Sequence, residues 1–197
     1  MVDEVSLHLV PRRNTGLCCW VASLLGASAK RPGHGPLASC AMGDDGSRGG
    51  RRVVLVDADT VAGWRRVTPS FAQLTEAVTH LREQEPSATV AIVGDPALKW
   101  ALPAGDQQLL DEEINHQRIV LAPAGTKDGH VGFIAEAARK ASSLGLDPVV
   151  VTDRAVPGCP IARVRRDGER WTFDLDNAEV TSAERAQPVV RRRRKKG

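Results

Sequence analysis

From residue 52 to residue 153 the chain alternates short unbroken apolar runs with longer stretches in which apolar residues recur every three or four positions. The unbroken runs are residues 53–56 (VVLV), 89–93 (TVAIV), 118–121 (RIVL) and 149–152 (VVVT). Runs rich in β-branched residues and leucine, with no polar alternation, predict strands buried on both faces, as in a parallel sheet. After the first run, a short helix or loop leads to Trp64. Phe71, Leu74, Ala77, Val78 and Leu81 then keep helical spacing, with Thr68 as expected N-cap, Pro69 at the first helical position and Pro86 as the stop. Leu109, Leu110 and Ile114 predict a second helix opening at Asp106. Val131, Ile134, Ala138, Ala141 and Leu144 predict a third, capped by Asp128 and stopped by Gly145. Two final runs, 161–164 and 170–173, flank Asp167 and Gly168 and predict a hairpin. The expected fold class is α/β: a three-layer α/β/α sandwich on a mostly parallel sheet, with 53–56 as a central strand.

The ends differ in composition. Residues 30–52 are dominated by Gly, Ser, Pro and Arg and read as linker. Residues 17–29 (LCCWVASLLGASA) follow Arg12 and Arg13 and end in Ala27-Ser28-Ala29, the outline of a secretory leader. Asp3 and Glu4 ahead of it, and Ser and Gly within it, speak against export; Met42, just before the first strand, marks an alternative start. The other end carries six contiguous cations: Arg191, Arg192, Arg193, Arg194, Lys195 and Lys196. The expected organisation is an irregular extension over 1–50, a folded domain over 51–176 and a basic tail over 177–197.

Charge sharpens this division. The net charge of +3 splits into +3 for residues 1–52 (7 basic, 4 acidic), −5 for 53–176 (13 basic, 18 acidic) and +5 for 177–197 (7 basic, 2 acidic). The expected folded part is therefore acidic and would need a metal ion to bring phosphates close. The cysteines, Cys18, Cys19, Cys40 and Cys159, form no CxxC pair, so neither a structural zinc site nor a disulfide framework is expected. That usage suits a reducing cytoplasm. No apolar run approaches the ~20 residues that span a bilayer, so no membrane partner is expected. A homodimer is left open.

The candidate chemistry lies where the strands end. Residues 53–56 run into Asp57 and Asp59, the second strand closes on Asp95, and the fourth closes on Asp153. In α/β sheets the carboxyl ends of the strands are where ligands bind. Clustered carboxylates repel unless a cation neutralises them. Mg²⁺ or Mn²⁺ does so with oxygen ligands, and either ion supports phosphoryl chemistry. Each acid also has a plain structural role. Asp106 and Asp128 suit helix caps. Asp59, and Asp95 before Pro96, suit turns. Asp57 and Asp153 have the least structural excuse, because a buried strand end needs a reason to hold a charge. His130, beside Asp128, could touch substrate, but the plainer reading is a surface histidine.

VVLVDADTVA, SATVAIVGD, GDQQLLDEEINHQRIVLAPAGTKDGH and DPVVVTDR, in that order, resemble the NYN domains of the PIN-like superfamily, and among them the Regnase-type ribonucleases. The resemblance covers residues 52–153. It implies a Mg²⁺-dependent nuclease that cleaves single-stranded RNA or RNA stem-loops. It matches Asp57 to the first-strand aspartate, Asp106 to an aspartate before the middle helix, Asp128 to the first acid of a pair opening the later helix, and Asp153 to the aspartate after the fourth strand. Two positions depart from the pattern. Thr60 stands where the family has Asn, with Asp59 as a substitute, and Gly129 stands where it has a second acid. The expected site is then Asp57, Asp128 and Asp153 around one Mg²⁺ or Mn²⁺, assisted by Asp59, Asp95 or Asp106. Lys99, Lys127, Arg154 and the tail Arg191, Arg192, Arg193, Arg194, Lys195 and Lys196 would contact RNA phosphates. Two alternatives stand beside it. One is an inactive NYN domain that binds RNA or a protein. The other is a haloacid-dehalogenase-like phosphatase, because Asp57-Ala58-Asp59-Thr60-Val61 fits its opening motif with Asp57 as nucleophile and Asp59 as general acid; the later lysine of that family is missing.

Overall fold

A computed structural model of the protein describes residues 51–180. The expectations for the N-terminal extension and for the cationic tail lie outside the described residues. Along the chain come β1 (Arg52–Asp57), α1 (Ala58–Ala62), α2 (Phe71–Gln84), β2 (Thr89–Gly94), α3 (Leu98–Ala101), α4 (Ala104–Asn115), β3 (Ile119–Leu121), α5 (Gly129–Ser143), β4 (Asp147–Val151), β5 (Pro160–Asp167) and β6 (Arg170–Val180). They build one six-stranded sheet in the order β3-β2-β1-β4-β5-β6. Neighbours from β3 to β5 are parallel, and β6 closes the edge antiparallel to β5. The strand 53–56 is therefore central, paired through Val54 with Val90 on one side and with Val149 on the other.

The unbroken run of β1 is explained by burial on both faces. Successive strand side chains point to opposite faces. Val54 and Val56 join a core cluster with Phe71, Leu74, Leu81, Leu110 and Trp171. Val53 and Leu55 are equally buried but lie outside that cluster, as do Phe133, Ile134, Ala137 and Ala138 of α5. The two faces are thus covered by different helices. The topology demands it: β1, β2 and β3 step one way, and the chain must then cross back to β4, so a right-handed crossover carries α5 to the opposite face. The fold is a three-layer α/β/α sandwich.

Helix boundaries differ from the expectation in an instructive way. α2 begins at Phe71 with Ser70 as its N-cap, not Thr68, and Ser70 Oγ accepts from Gln73 N at 3.4 Å. A second cap comes from a distant helix: Asp106 Oδ2 accepts from Phe71 N at 3.0 Å. Asp106 does not cap its own helix, which starts two residues earlier after Pro103. Of the residues expected to face the core, Leu109 is 46% and Leu144 51% exposed, so the buried stripes of α4 and α5 are narrower than their periodicity suggests. Gly145 adopts φ +76°, the left-handed stop expected after α5. β6 runs on to Val180, past the expected boundary at 176. Its start is met by α2, where His80 Nδ1 accepts from Trp171 N at 3.2 Å and Gln84 Oε1 accepts from Phe173 N at 3.1 Å. Those side chains occupy backbone donors of an edge strand that would otherwise be open to pairing. Cys159 is buried, and burial pushes its thiol up. No helix among the described residues is long and apolar enough to cross a membrane.

Candidate metal centre

The sheet sets β1, β2 and β4 side by side, so the residues just past their carboxyl ends meet at one edge. Asp57, the last residue of β1, is fully buried. Its Oδ1 accepts from Asp59 N at 3.1 Å and Thr60 N at 3.2 Å, which caps α1. Its Oδ2 accepts from Thr152 Oγ1 at 2.7 Å and meets Thr60 Oγ1 at 2.9 Å. Thr60 Oγ1 also lies 2.7 Å from Asp153 Oδ1. One hydroxyl carries one proton. It cannot donate to both carboxylates at once, so the Asp57–Thr60–Asp153 contact holds more negative charge than its own hydrogens satisfy.

His130 completes the group. It sits in the first turn of α5, is only 4% exposed and points into the acids, so the expected surface histidine is a buried one. It is buried because α5 packs on the face of β1 that carries the odd-numbered residues, Asp57 among them. Its Nδ1 lies 3.1 Å from Asp95 Oδ2. That contact assigns the ring proton to Nδ1, since the carboxylate can only accept. Nε2 then turns a lone pair toward Asp57 Oδ1 at 3.4 Å and has no hydrogen-bond partner. A ligating histidine behaves in this way: its second nitrogen donates to a carboxylate and leaves the first for a cation. Among the described residues, Asp57, Asp59 and His130 offer ligand atoms that all lie within 4.8 Å of one another. Two carboxylates and an imidazole fit a divalent ion with mixed oxygen and nitrogen ligation.

The electrostatics derive from burial. Desolvation pushes the Asp59 carboxyl above the ordinary carboxylate range, with Asp57 and Asp95 adding repulsion, although the Asp95 N–H donated to Asp59 Oδ2 at 2.7 Å opposes the rise. Asp95 goes the other way. The Ala97 N–H that it accepts at 2.8 Å is the first cause, and His130 adds to it.

The remaining expected residues are spread around this group. Asp153 and Arg154 are exposed and, with Asp59, Thr60, Gly63, Trp64 and Arg65, line an open cleft of about 500 Å³ beside the acids. Asp128 is exposed, has φ 62° and makes no capping hydrogen bond to α5; it stands outside the group of Asp57, Asp59 and His130. Asp106 is occupied at the start of α2. Lys99 pairs with Asp111 at 2.7 Å and lies over the Trp100 ring at 5.5 Å. Lys127 is exposed just before α5. Arg191, Arg192, Arg193, Arg194, Lys195 and Lys196 lie outside the described residues. Sequence reasoning missed His130, Thr60 and Thr152 as parts of one network. For His130 a signal existed: with Ile134, Ala137 and Ala141 it continues the buried stripe of α5 by one turn toward the N-terminus.

These features define an α/β protein with a parallel sheet whose carboxyl edge carries a buried Asp–Asp–His group. Two solved structures of nuclear RNase P 2 (PRORP2) from A. thaliana, described as proteinaceous and as protein-only, align with 86% of this chain at 13% identity, with TM-scores of 0.48 and 0.46. The alignment covers 38% of those longer chains, so this chain spans well under half their length. No family model and no curated protein matches the sequence. The functional reading therefore rests on the residues themselves.

Proposed function

We propose that this domain is a divalent-metal-dependent endoribonuclease of the PIN-like, NYN type. The observation that carries the reading is the orphaned Nε2 of buried His130, aimed at Asp57 beside Asp59, with Asp95 holding the opposite nitrogen. Asp59 and His130 would hold the ion in front of Asp57, and Asp153 adds a carboxylate at the open cleft. An ion there supplies charge neutralisation at the phosphoryl group and makes water more acidic at neutral pH. An imidazole among the ligands favours Mn²⁺ over Mg²⁺, which prefers oxygen. Asp57 is chiefly a positioning residue: its four hydrogen bonds lock α1, Thr60 and Thr152. Asp95 fixes the ring of His130. Arg154 and Arg65 stand on the wall of the cleft, where they hold the phosphate backbone. In the reaction, water adds to phosphorus, one P–O ester bond breaks, and the leaving oxygen takes up a proton. Asp128 serves as an outer acid at the mouth of α5.

The same four hydrogen bonds speak against the phosphatase alternative, because a covalent nucleophile must reach its substrate and Asp57 is fully buried. They also give the binding-only reading a specific foothold, since Asp57 has little capacity left for an ion. The deciding experiment is cleavage of labelled single-stranded RNA with Mn²⁺, with Mg²⁺ and with EDTA, using the wild type, Asp59→Asn and His130→Asn. Metal-dependent cleavage lost in both variants is expected. Cleavage that survives in both variants overturns the Asp59–His130 centre, and none under any divalent ion leaves the RNA-binding reading in its place.

A further inference from the structure

Behind the acid cleft lies a second one of about 510 Å³, lined by Trp64, Arg65, Arg66, Gln73, Arg166 and Gly168. The two share a wall, since Trp64 and Arg65 line both. Their chemistry differs: the first mixes carboxylates (Asp59, Asp153) with Arg65 and Arg154, whereas the charged lining of the second is guanidinium groups only.

The second cleft is assembled around Gln73, a polar residue only 2% exposed. Its Nε2 reaches the carbonyls of Val61 at 2.9 Å, Ala62 at 3.3 Å and Trp64 at 3.1 Å, which ties down the turn after α1. Its Oε1 accepts from Arg66 Nε at 2.8 Å and from Arg166 Nη1 at 3.0 Å. One neutral oxygen thus gathers two cations from different elements, α1's exit and β5. Like charges drawn together in this way cost free energy unless an anion offsets them. Glu76 pairs with Arg166 at 3.2 Å and answers one of them. Arg166 also lies over the Trp171 ring, its Cζ 5.1 Å from the centroid, which restricts where the side chain can go. Arg66 and Arg65 are exposed. Arg65 adopts φ 52°, a left-handed conformation that is unfavourable for a side chain larger than glycine. Strain of that kind persists only where the surroundings impose it, and it collects at functional sites. Here the strained residue forms the wall between the clefts.

We infer that the Arg66–Gln73–Arg166 cleft is a second phosphate-binding subsite, which holds the backbone of single-stranded RNA next to the phosphate at the acid group. This rests on the nuclease reading and deepens it by placing a second contact on the strand, across the Trp64–Arg65 wall. Guanidinium groups bind phosphate oxygens in a fixed fork.

The test is RNA binding by the full chain, read separately from cleavage. Fluorescence anisotropy of a labelled single strand in EDTA is followed across a salt series. For single strands the slope of log affinity against log salt is about −0.7 per neutralised phosphate. Arg66→Gln and Arg166→Gln are each expected to weaken binding several-fold at low salt and to flatten the slope by about that amount. Arg66→Lys should keep the slope, because the charge is kept. Arg166 packs on Trp171, so its variant is accompanied by a thermal melt; Arg66 is exposed and carries the test if the Arg166 protein does not fold. An unchanged slope in Arg66→Gln overturns the subsite even where cleavage by the wild type is intact. A slope that depends on Arg66 in a protein that cleaves nothing under any metal keeps the subsite and removes the nuclease reading. A wild type that binds no RNA removes the subsite outright.

Discussion

Asp59 shows how burial turns an ordinary carboxylate into half of a binding site. Desolvation raises its folded-state pKa above the unfolded value of 3.8, so folding favours its protonated form. The stability that this group contributes is fully present below the unfolded pKa and is lost as pH rises through the folded one. Asp59→Asn keeps an oxygen for the Asp95 N–H and removes the charge. In EDTA, its denaturation midpoint is expected to exceed that of the wild type by more at pH 7 than at pH 3.5; an equal difference at both would mean that the charge is not penalised. Asp95 acts one step further out, since its carboxylate touches the ring of His130 from behind. Asp95→Asn should lower metal affinity by about 10–100-fold, the usual cost of losing a partner that orients a ligand, whereas Asp128→Asn should cost much less. Metal titration of both proteins gives the comparison, and a larger loss in Asp128→Asn would move the centre toward the mouth of α5. The strand-end acids Asp57, Asp59, Asp95 and Asp153 were legible because an Asp after an apolar run has one place to go in a parallel sheet. The stripe signal for His130 was ambiguous, because Val131 beside it satisfied the apolar pattern equally well and the choice depends on how α5 docks.

At the scale of elements, α5 delivers His130, and its placement depends on a close approach. A Cβ added at Gly132 would lie 2.0 Å from the carbonyl oxygen of Lys127, which is backbone and cannot swing aside. Just before it, Asp128 and Gly129 both take positive φ, 62° and 63°, so the chain turns sharply into the helix. Gly129 stands where the resembled family has an acid, and a side chain there would have to accept that conformation. Gly132→Ala is expected to displace the first turn of α5, cost roughly 1–3 kcal/mol by overpacking and weaken metal binding through His130. Gly105 in α4 is the contrast, with nothing within 4 Å of an added Cβ. Gly105→Ala should stabilise by about 0.5–1 kcal/mol through the unfolded chain and leave metal binding alone. Thermal melts of the pair decide; stabilisation by both would mean that the turn before α5 is loose. All six strands, the closing hairpin included, and the three long helices were legible as apolar runs and periodic stripes. The cap of α2 was not, because Asp106 supplies it from another helix, and α3 was not, because four residues carry no period.

At the scale of the whole molecule, the sheet gathers negative charge at one edge of a part that is already acidic, −5 over residues 53–176. The sandwich is wide enough to tolerate this: β1 is buried on both faces, and Trp171, 2% exposed, anchors the antiparallel edge against the helix layer. That charge should still weaken the metal-free fold, so an ion that binds only the folded state should stabilise it by an amount that grows with the logarithm of its excess over Kd. At a hundredfold excess the gain is about 2.7 kcal/mol. For a domain of this size that corresponds to a rise in Tm of roughly 5–15 °C. Mn²⁺ should raise the Tm of the wild type more than Mg²⁺ does at equal concentration, because His130 brings nitrogen to the site. In Asp59→Asn and His130→Asn most of that rise should vanish, while the Tm in EDTA stays near or above the wild-type value for Asp59→Asn. This readout needs no RNA and no cleavage, so it separates the metal centre from the rest of the functional reading. Equal shifts in all three proteins would place the ion elsewhere. No shift in the wild type with either ion would remove the metal centre and leave Asp57, Asp59 and His130 as a structural network, held by Thr60, Thr152 and Asp95.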